Sequence, residues 1–131
     1  MKNFFEQLKN GLNKEIEIEE TLNNYFNDNL VKGKQYSKYD WKGEKYYYEL
    51  KSRDFEFNKY LTTIIPEHKI FTTDHRFVFA FTDGIYYIEY NKELFNTFKK
   101  KLFVCNPRYG IKDKPVTHIF IPITKLVKID F

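Results

Sequence analysis

Two aromatic and β-branched runs, residues 76–82 and 85–90, meet at Asp83-Gly84. Asp-Gly between two such runs is among the strongest hairpin signals in a sequence, so the chain is committed to an antiparallel pair of strands there. A second hairpin is predicted upstream, where the aromatic-rich runs 35–41 and 44–53 are separated by Lys42-Gly43. Before it, Phe5, Leu8, Leu12, Ile18, Leu22 and Phe26 fall near helical spacing. Asn3 and Glu6 are placed like a capping pair, and Asn27-Asp28-Asn29 mark an end. The short alternation Ile16-Glu17-Ile18 competes as a strand signal but is outweighed by the longer period. Residues 62–69 read as a loop entering a short helix at Pro66. Residues 92–102 read as a basic helical or irregular segment, and His118 opens a last strand through Ile119-Phe120-Ile121. The predicted order is helix, hairpin, short helix, hairpin and terminal strand, an α/β architecture with a single mixed sheet.

The 131 residues are enough for one domain that buries about two-thirds of its unfolded surface. No apolar run approaches the roughly 20 residues that span a bilayer, and the first residues lack the long apolar stretch of a signal peptide, so neither membrane insertion nor secretion is expected. A lone cysteine, Cys105, excludes an internal disulfide and a thiolate zinc cage. His68, His75 and His118 show no paired ligand spacing. Intracellular residence is the expectation. The net charge of +4 suits a phosphate-binding surface without requiring one. Lys outnumbers Arg 19 to 3 and Ala80 is the sole alanine. No helix rule explains that scarcity, and the preferred residues share A/T-rich codons, as in the genome of a large DNA virus, a phage or a small bacterium.

The chemistry-bearing segment is Tyr48-Glu49-Leu50-Lys51-Ser52-Arg53. On a strand, Glu49 and Lys51 project from one face and Tyr48 and Leu50 from the other. If Lys42-Gly43 is a two-residue turn, Asp40 pairs with Lys45 and shares the Glu49 face. It would then lie about 13 Å from Glu49 at ~3.3 Å per residue, so the strands would have to splay or bulge for the two acids to share an ion. Two carboxylates at one point suit a divalent cation such as Mg²⁺, and a neighbouring lysine could orient the attacking water or neutralise a scissile phosphate. The acid-x-lysine spacing alone is weak: about 2.6 chance matches are expected from this composition, and three occur, at Asp40, Glu49 and Glu67.

Context singles out the middle one. Gly11-(x3)-Glu15-(x2)-Ile18-(x3)-Leu22, then Asp40, then Glu49-Leu50-Lys51 resembles the PD-(D/E)xK nuclease superfamily, in particular its small Holliday-junction-resolvase-like members. Ser37-Lys38-Tyr39-Asp40, the 48–53 segment and Asp83-Gly84 also look like short nuclease-like proteins encoded by giant DNA viruses. The resemblance covers about residues 11–90. It implies a single nuclease-like domain over 1–131, with an αβββαβ restriction-endonuclease-like core and a C-terminal strand extension. It further implies Mg²⁺, with Mn²⁺ as substitute, held by Asp40, Glu49 and the Leu50 carbonyl. In that arrangement Lys51 assists the water and Glu15 supports the metal from the helix. The superfamily's proline before the first acid is replaced by Tyr39, and the interval from Asp40 to Glu49 is short. Glu19 competes with Glu15 for the helix role, and the glycine spacing favours Glu15. DNA is the implied partner, branched DNA among the substrates, and two cuts across a junction would call for a homodimer.

Each residue also has a plainer reading. Glu49 and Lys51 suit a solvated strand face with cross-strand ion pairs, Glu15 a helix surface, and Asp40 the opening of a turn. Arg53, Lys59 and Lys69 are the candidate nucleic-acid contacts, Lys69 foremost because its segment follows the expected metal strand. Lys99-Lys100-Lys101 suits a nucleic-acid backbone or simply solvent. The tyrosines 46–48 are assigned to packing and Cys105 to an inert thiol. The rivals to a nuclease are an inactive nuclease-fold nucleic-acid-binding or virion protein, and an interaction protein in which the acid-lysine strand is chance.

Overall fold

The stripe Ile18, Leu22 and Phe26 winds into α1 (Lys14–Phe26), the first element of a computed structural model that describes residues 14–104 and 114–130. The helix stops where expected. Asn27 takes the left-handed conformation (φ 52°), the Asp28 amide donates back to the Asn23 carbonyl at 3.0 Å, and the Asn23 side chain accepts the Leu30 amide at 2.7 Å. The predicted start at Phe5, the capping pair, Gly11 and Cys105 all lie outside the described residues.

Among the described residues nine strands follow: β1 (Val31–Lys32), β2 (Trp41–Lys42), β3 (Tyr47–Ser52), β4 (Thr62–Pro66), β5 (His75–Phe81), β6 (Gly84–Glu89), β7 (Lys99–Phe103), β8 (Val116–Pro122) and β9 (Val127–Lys128). A one-turn helix, α2 (Lys92–Phe95), is capped by the Asn91 side chain, which accepts the Leu94 amide at 2.9 Å. The strands form two sheets instead of the single sheet expected. One runs β1-β2-β3-β5-β6-β9 and the other β4-β8-β7. The first is mixed, because β3 and β5 are parallel while its other neighbours are antiparallel.

Alternation along β5 explains the layering. Val78 and Ala80 join Ile18 and Leu22 of α1 in one core, whereas Phe77, Phe79 and Phe81 join Ile65, Ile119 and Ile121 of the smaller sheet in another. The six-stranded sheet is therefore covered by a helix on one face and by a second sheet on the other. Both faces of β5 are buried, as its near-continuous apolar sequence requires.

Several local expectations change. Residues 99–102, expected within a helical or irregular segment, lie in the strand β7, and of the run 35–41 only Trp41 lies in a strand. The 76–90 hairpin turns at Thr82-Asp83, with Gly84 already paired to Phe81. The Thr82 amide donates to the Phe55 carbonyl and the Asp83 carboxylate accepts the Phe57 amide at 2.9 Å, so the neighbouring segment fixes the turn. Residues 62–66 form β4 at a sheet edge, where a terminal proline is tolerated, and the helix expected after them is only the 3₁₀ turn Glu67–Lys69. That strand and turn occupy the β3-to-β5 crossover, where the resemblance expects a full helix. The upstream hairpin pairs Trp41 with Tyr48 and Lys42 with Tyr47, so its connection takes residues 43–46 and not Lys42-Gly43.

Candidate functional site

That register decides the site. Against the two-residue turn, the observed pairing slides β3 by four residues, about 13 Å at ~3.3 Å per residue, and carries Asp40 away from Lys45 towards Glu49 and Leu50. The Asp40 amide donates to the Tyr48 carbonyl at 2.9 Å, and its Oδ2 accepts the Leu50 amide at 2.7 Å. β2 has ended by this point, so the carboxylate stands where a strand neighbour would have supplied a carbonyl. The longer turn is built around Asp28, whose Oδ1 accepts the amides of Asn29 (2.8 Å) and Glu44 (3.0 Å). Gly43 passes so close to this carboxylate that any Cβ there would collide with Asp28 Oδ2.

Along β3, Tyr48 and Leu50 pack on the α1 side, as strand parity predicts. Glu49 and Lys51 project from the opposite face, and Glu49 is only 6% exposed. Its Oε1 lies 3.4 Å from Lys51 Nζ and 3.6 Å from Lys69 Nζ. Burial pushes the Glu49 carboxyl above its ordinary pKa and the nearby Asp40 charge adds to the rise, while Lys69 and Lys51 oppose it. The structure thus brings together Asp40, Glu49, the Leu50 backbone, Lys51 and Lys69, three of them from β3, one from the residue before β2 and one from the crossover.

The remaining candidates lie elsewhere. Glu15 Oε2 is ion-paired to Lys32 Nζ at 2.6 Å on the solvent side of α1. It lines a cavity of about 420 Å³ that Asp40, Lys32 and Tyr39 also line, but not Glu49. Among the described residues no three His, Cys, Asp or Glu side chains converge on a point that could hold one ion. Arg53 donates to the Ile64 carbonyl (2.6 Å) and to Thr63 Oγ1 (3.1 Å), which ties the end of β3 to β4. Lys59 is exposed, with its ammonium 5.6 Å from the Tyr60 ring centre.

Comparison of the chain with protein-family models, with curated proteins and with solved structures finds no match. Among the described residues no helix is long and apolar enough to cross a membrane.

A polar chain on the other face of the sheet holds the site's scaffold. Arg76 Nη1 donates to Tyr48 Oη at 2.6 Å, and that hydroxyl donates to Asp28 Oδ2 at 3.2 Å. The Arg76 guanidinium is sandwiched between the rings of Phe26 and Tyr46, at 4.0 and 3.9 Å, which joins α1 to the hairpin turn. Burial pushes the Tyr48 hydroxyl up to about 12 in spite of Arg76, so it stays a neutral donor. Burial also raises Asp28, but the Glu44 and Asn29 amides, Tyr48 and Arg76 outweigh it and hold its carboxyl below the usual range.

A second cavity, of about 450 Å³, adjoins Lys51 on the side away from Asp40. Phe55, Tyr60, Thr62 and His118 line it. Nothing in the sequence marked it, because its walls come from β3, the 55–60 segment and the β4-β8 pair, and β4 had read as a loop.

Proposed function

We propose that the Asp40-Glu49-Lys51 corner is the site of a metal-dependent endonuclease that hydrolyses phosphodiesters of DNA, branched DNA among its substrates. The observation that carries this reading is the buried Glu49 carboxylate, with Asp40 close enough to raise its pKa and Lys51 at 3.4 Å. The αβββ order and the parallel step from β3 to β5 support a core like that of the PD-(D/E)xK superfamily, with the 3₁₀ turn Glu67–Lys69 in the place of its second helix.

The donor set suits Mg²⁺, which takes oxygen ligands, and Mn²⁺ as its substitute. Asp40 and Glu49 would hold the ion, with the Leu50 carbonyl between them. When bound, it supplies an acidified water and a counter-charge for the phosphate. The protein's own part is positional. The Leu50 amide fixes one oxygen of Asp40, and β3 sets Glu49 and Lys51 on one face. Lys51 would donate to the attacking water or to a phosphate oxygen, with Lys69 as the second phosphate contact. Glu15 would enter only by exchanging Lys32 for the metal side of the cavity it shares with Asp40.

One feature favours the rival, a nucleic-acid-binding or virion protein of this fold without catalysis. Lys51 and Lys69 already offset the Glu49 charge, as in a structural ion triad. Incubating supercoiled, linear, single-stranded and four-way-junction DNA with Mg²⁺ or Mn²⁺ separates the two. Cleavage by the wild type that is absent from folded Asp40→Asn and Lys51→Ala supports the nuclease. No cleavage of any substrate by the folded wild type assigns the triad to structure.

A further inference from the structure

The cavity beside Lys51 has a composition unlike that of an ordinary packing defect. Its walls carry the cations Lys51 and Arg53, the hydroxyl of Thr62, and the aromatic residues Phe55 and Tyr60, while the Thr63 hydroxyl is already engaged by Arg53. Its volume, about 450 Å³, is within the range of small-ligand pockets. Tyr60 is 53% exposed, with Phe55 edge-on against it at 5.0 Å, so one aromatic ring is held in place while much of its surface faces solvent. An anion-binding group, a hydrogen-bonding hydroxyl and an exposed, braced ring are the three things a single nucleotide needs: a phosphate contact, a base-edge contact and a stacking platform.

The sheet beyond the cavity continues the pattern. His118 lines the cavity and pairs with Lys101 across the β7-β8 ladder, and Phe120 pairs with Lys99. Directly paired residues share a face, so Lys99 and Lys101 project from the same face as His118, one of the residues that line the cavity. All three lysines of this run are exposed, but Lys100 points to the other face and is bound to Glu67 at 2.7 Å. A row of cations one strand away, about 4.8 Å per strand, offers a track for the phosphates leaving the cavity.

We propose that this cavity binds one unpaired nucleotide of a single-stranded nucleic acid, its base against Tyr60 and its phosphate at Lys51, with the strand continuing over Lys101 and Lys99. Bases in a duplex are stacked and paired and cannot enter such a recess unless extruded, so the site selects single-stranded or frayed substrate over intact duplex. The proposal deepens the nuclease reading, on which it rests for the role of Lys51, by naming the substrate form.

The test is binding without turnover. Fluorescence anisotropy of a short labelled oligothymidylate and of a blunt duplex of the same length, in EDTA, is measured for the wild type, Tyr60→Ala, Tyr60→Phe and Lys101→Ala. Preferential binding of the single strand is expected. Tyr60→Ala should weaken it by roughly 5- to 150-fold, the range for losing one base-aromatic stack, and Tyr60→Phe should keep it. Lys101→Ala should lower the salt slope by about one. Duplex bound as tightly as single strand, wild-type affinity in folded Tyr60→Ala, or no single-strand binding overturns the proposal. Asp40-dependent cleavage is scored separately. Its loss with binding intact removes only the nuclease, and unaltered binding by Tyr60→Ala with cleavage intact removes only the cavity.

Discussion

The Asp40 carboxylate accepts the Leu50 amide at 2.7 Å, so the first acid of the site is bonded to the backbone between the second acid and the lysine. The contact is structural, the proposed nuclease role would add a chemical one, and two substitutions separate them. Asp40→Asn keeps an acceptor for Leu50 and should leave stability within about 1 kcal/mol of wild type, while Asp40→Ala strands the amide and should cost about 1–3 kcal/mol. Both should abolish metal-dependent cleavage. Urea unfolding and a nuclease assay on the same samples check this, and equal destabilisation by the two variants would contradict the assigned bond.

Glu49 makes stability depend on pH. Its folded pKa is raised above the reference value of 4.5 by burial and by Asp40, against Lys69 and Lys51, so the folded state binds this proton more tightly than the unfolded chain. The contribution of Glu49 is then complete below pH 4.5 and is lost as pH rises through the folded pKa. Without divalent metal, the urea midpoint of wild type should fall across that window relative to Glu49→Gln, in which the decline is absent. Parallel pH profiles for the two proteins would show that Glu49 titrates normally.

Gly43 is predicted to be intolerant of any side chain. A Cβ would collide with Asp28, the residue that accepts the Glu44 amide of the turn, the Asn29 amide and the Tyr48 hydroxyl. Gly43→Ala should destabilise by roughly 2 kcal/mol through this overlap and the loosened turn. The 43–46 turn sets the register that delivers Asp40 to Leu50, so cleavage should fall as well. A thermal midpoint unchanged from wild type would mean that the turn relaxes without loss.

His75 is fully buried at the start of β5, stacked on Phe77 at 5.1 Å, and neither ring nitrogen has a well-formed hydrogen bond among the described residues. Burial holds its pKa below the reference value of 6.5, against smaller opposing effects of Asp74 and the Tyr47 backbone. A depressed histidine stabilises the fold above pH 6.5, and that stability is lost as pH falls and the unfolded chain takes up the proton. His75→Phe should remove this acid-side loss and stabilise by about 1 kcal/mol at neutral pH, since an unpaired polar group leaves the core. Unfolding curves on both sides of the reference value test both halves.

The elements that could be read from sequence were those specified by nearby residues. The described part of α1 and its stop at Asn27, the β5 and β6 strands and the two faces of β3 follow from periodicity and local turn chemistry. What was misread depends on distant partners. Residues 62–66 become a strand because β8, far along the chain, pairs with them, and Thr82-Asp83 turns early because Phe55 and Phe57 hold it. The site divides the same way. Glu49 and Lys51 sharing a face was legible, but their approach to Asp40 required a longer turn whose cause, Asp28, lies before β1. Arg53 looked like a phosphate ligand by charge alone, and its bonds to Thr63 and Ile64 exist only because β4 does.

The two ammonium groups beside Glu49 reach it by unequal routes. Lys51 is delivered with β3 itself, whereas Lys69 arrives only after residues 53–68 have looped out, laid down β4 and returned. Closing that excursion has an entropic cost that the Lys51 contact, two residues from Glu49, does not carry. A peptide ending at Ser52 would carry the whole acid-lysine motif and lack the charge balance that the complete chain gives it. That balance belongs to the closed crossover, and the motif is only its most visible part.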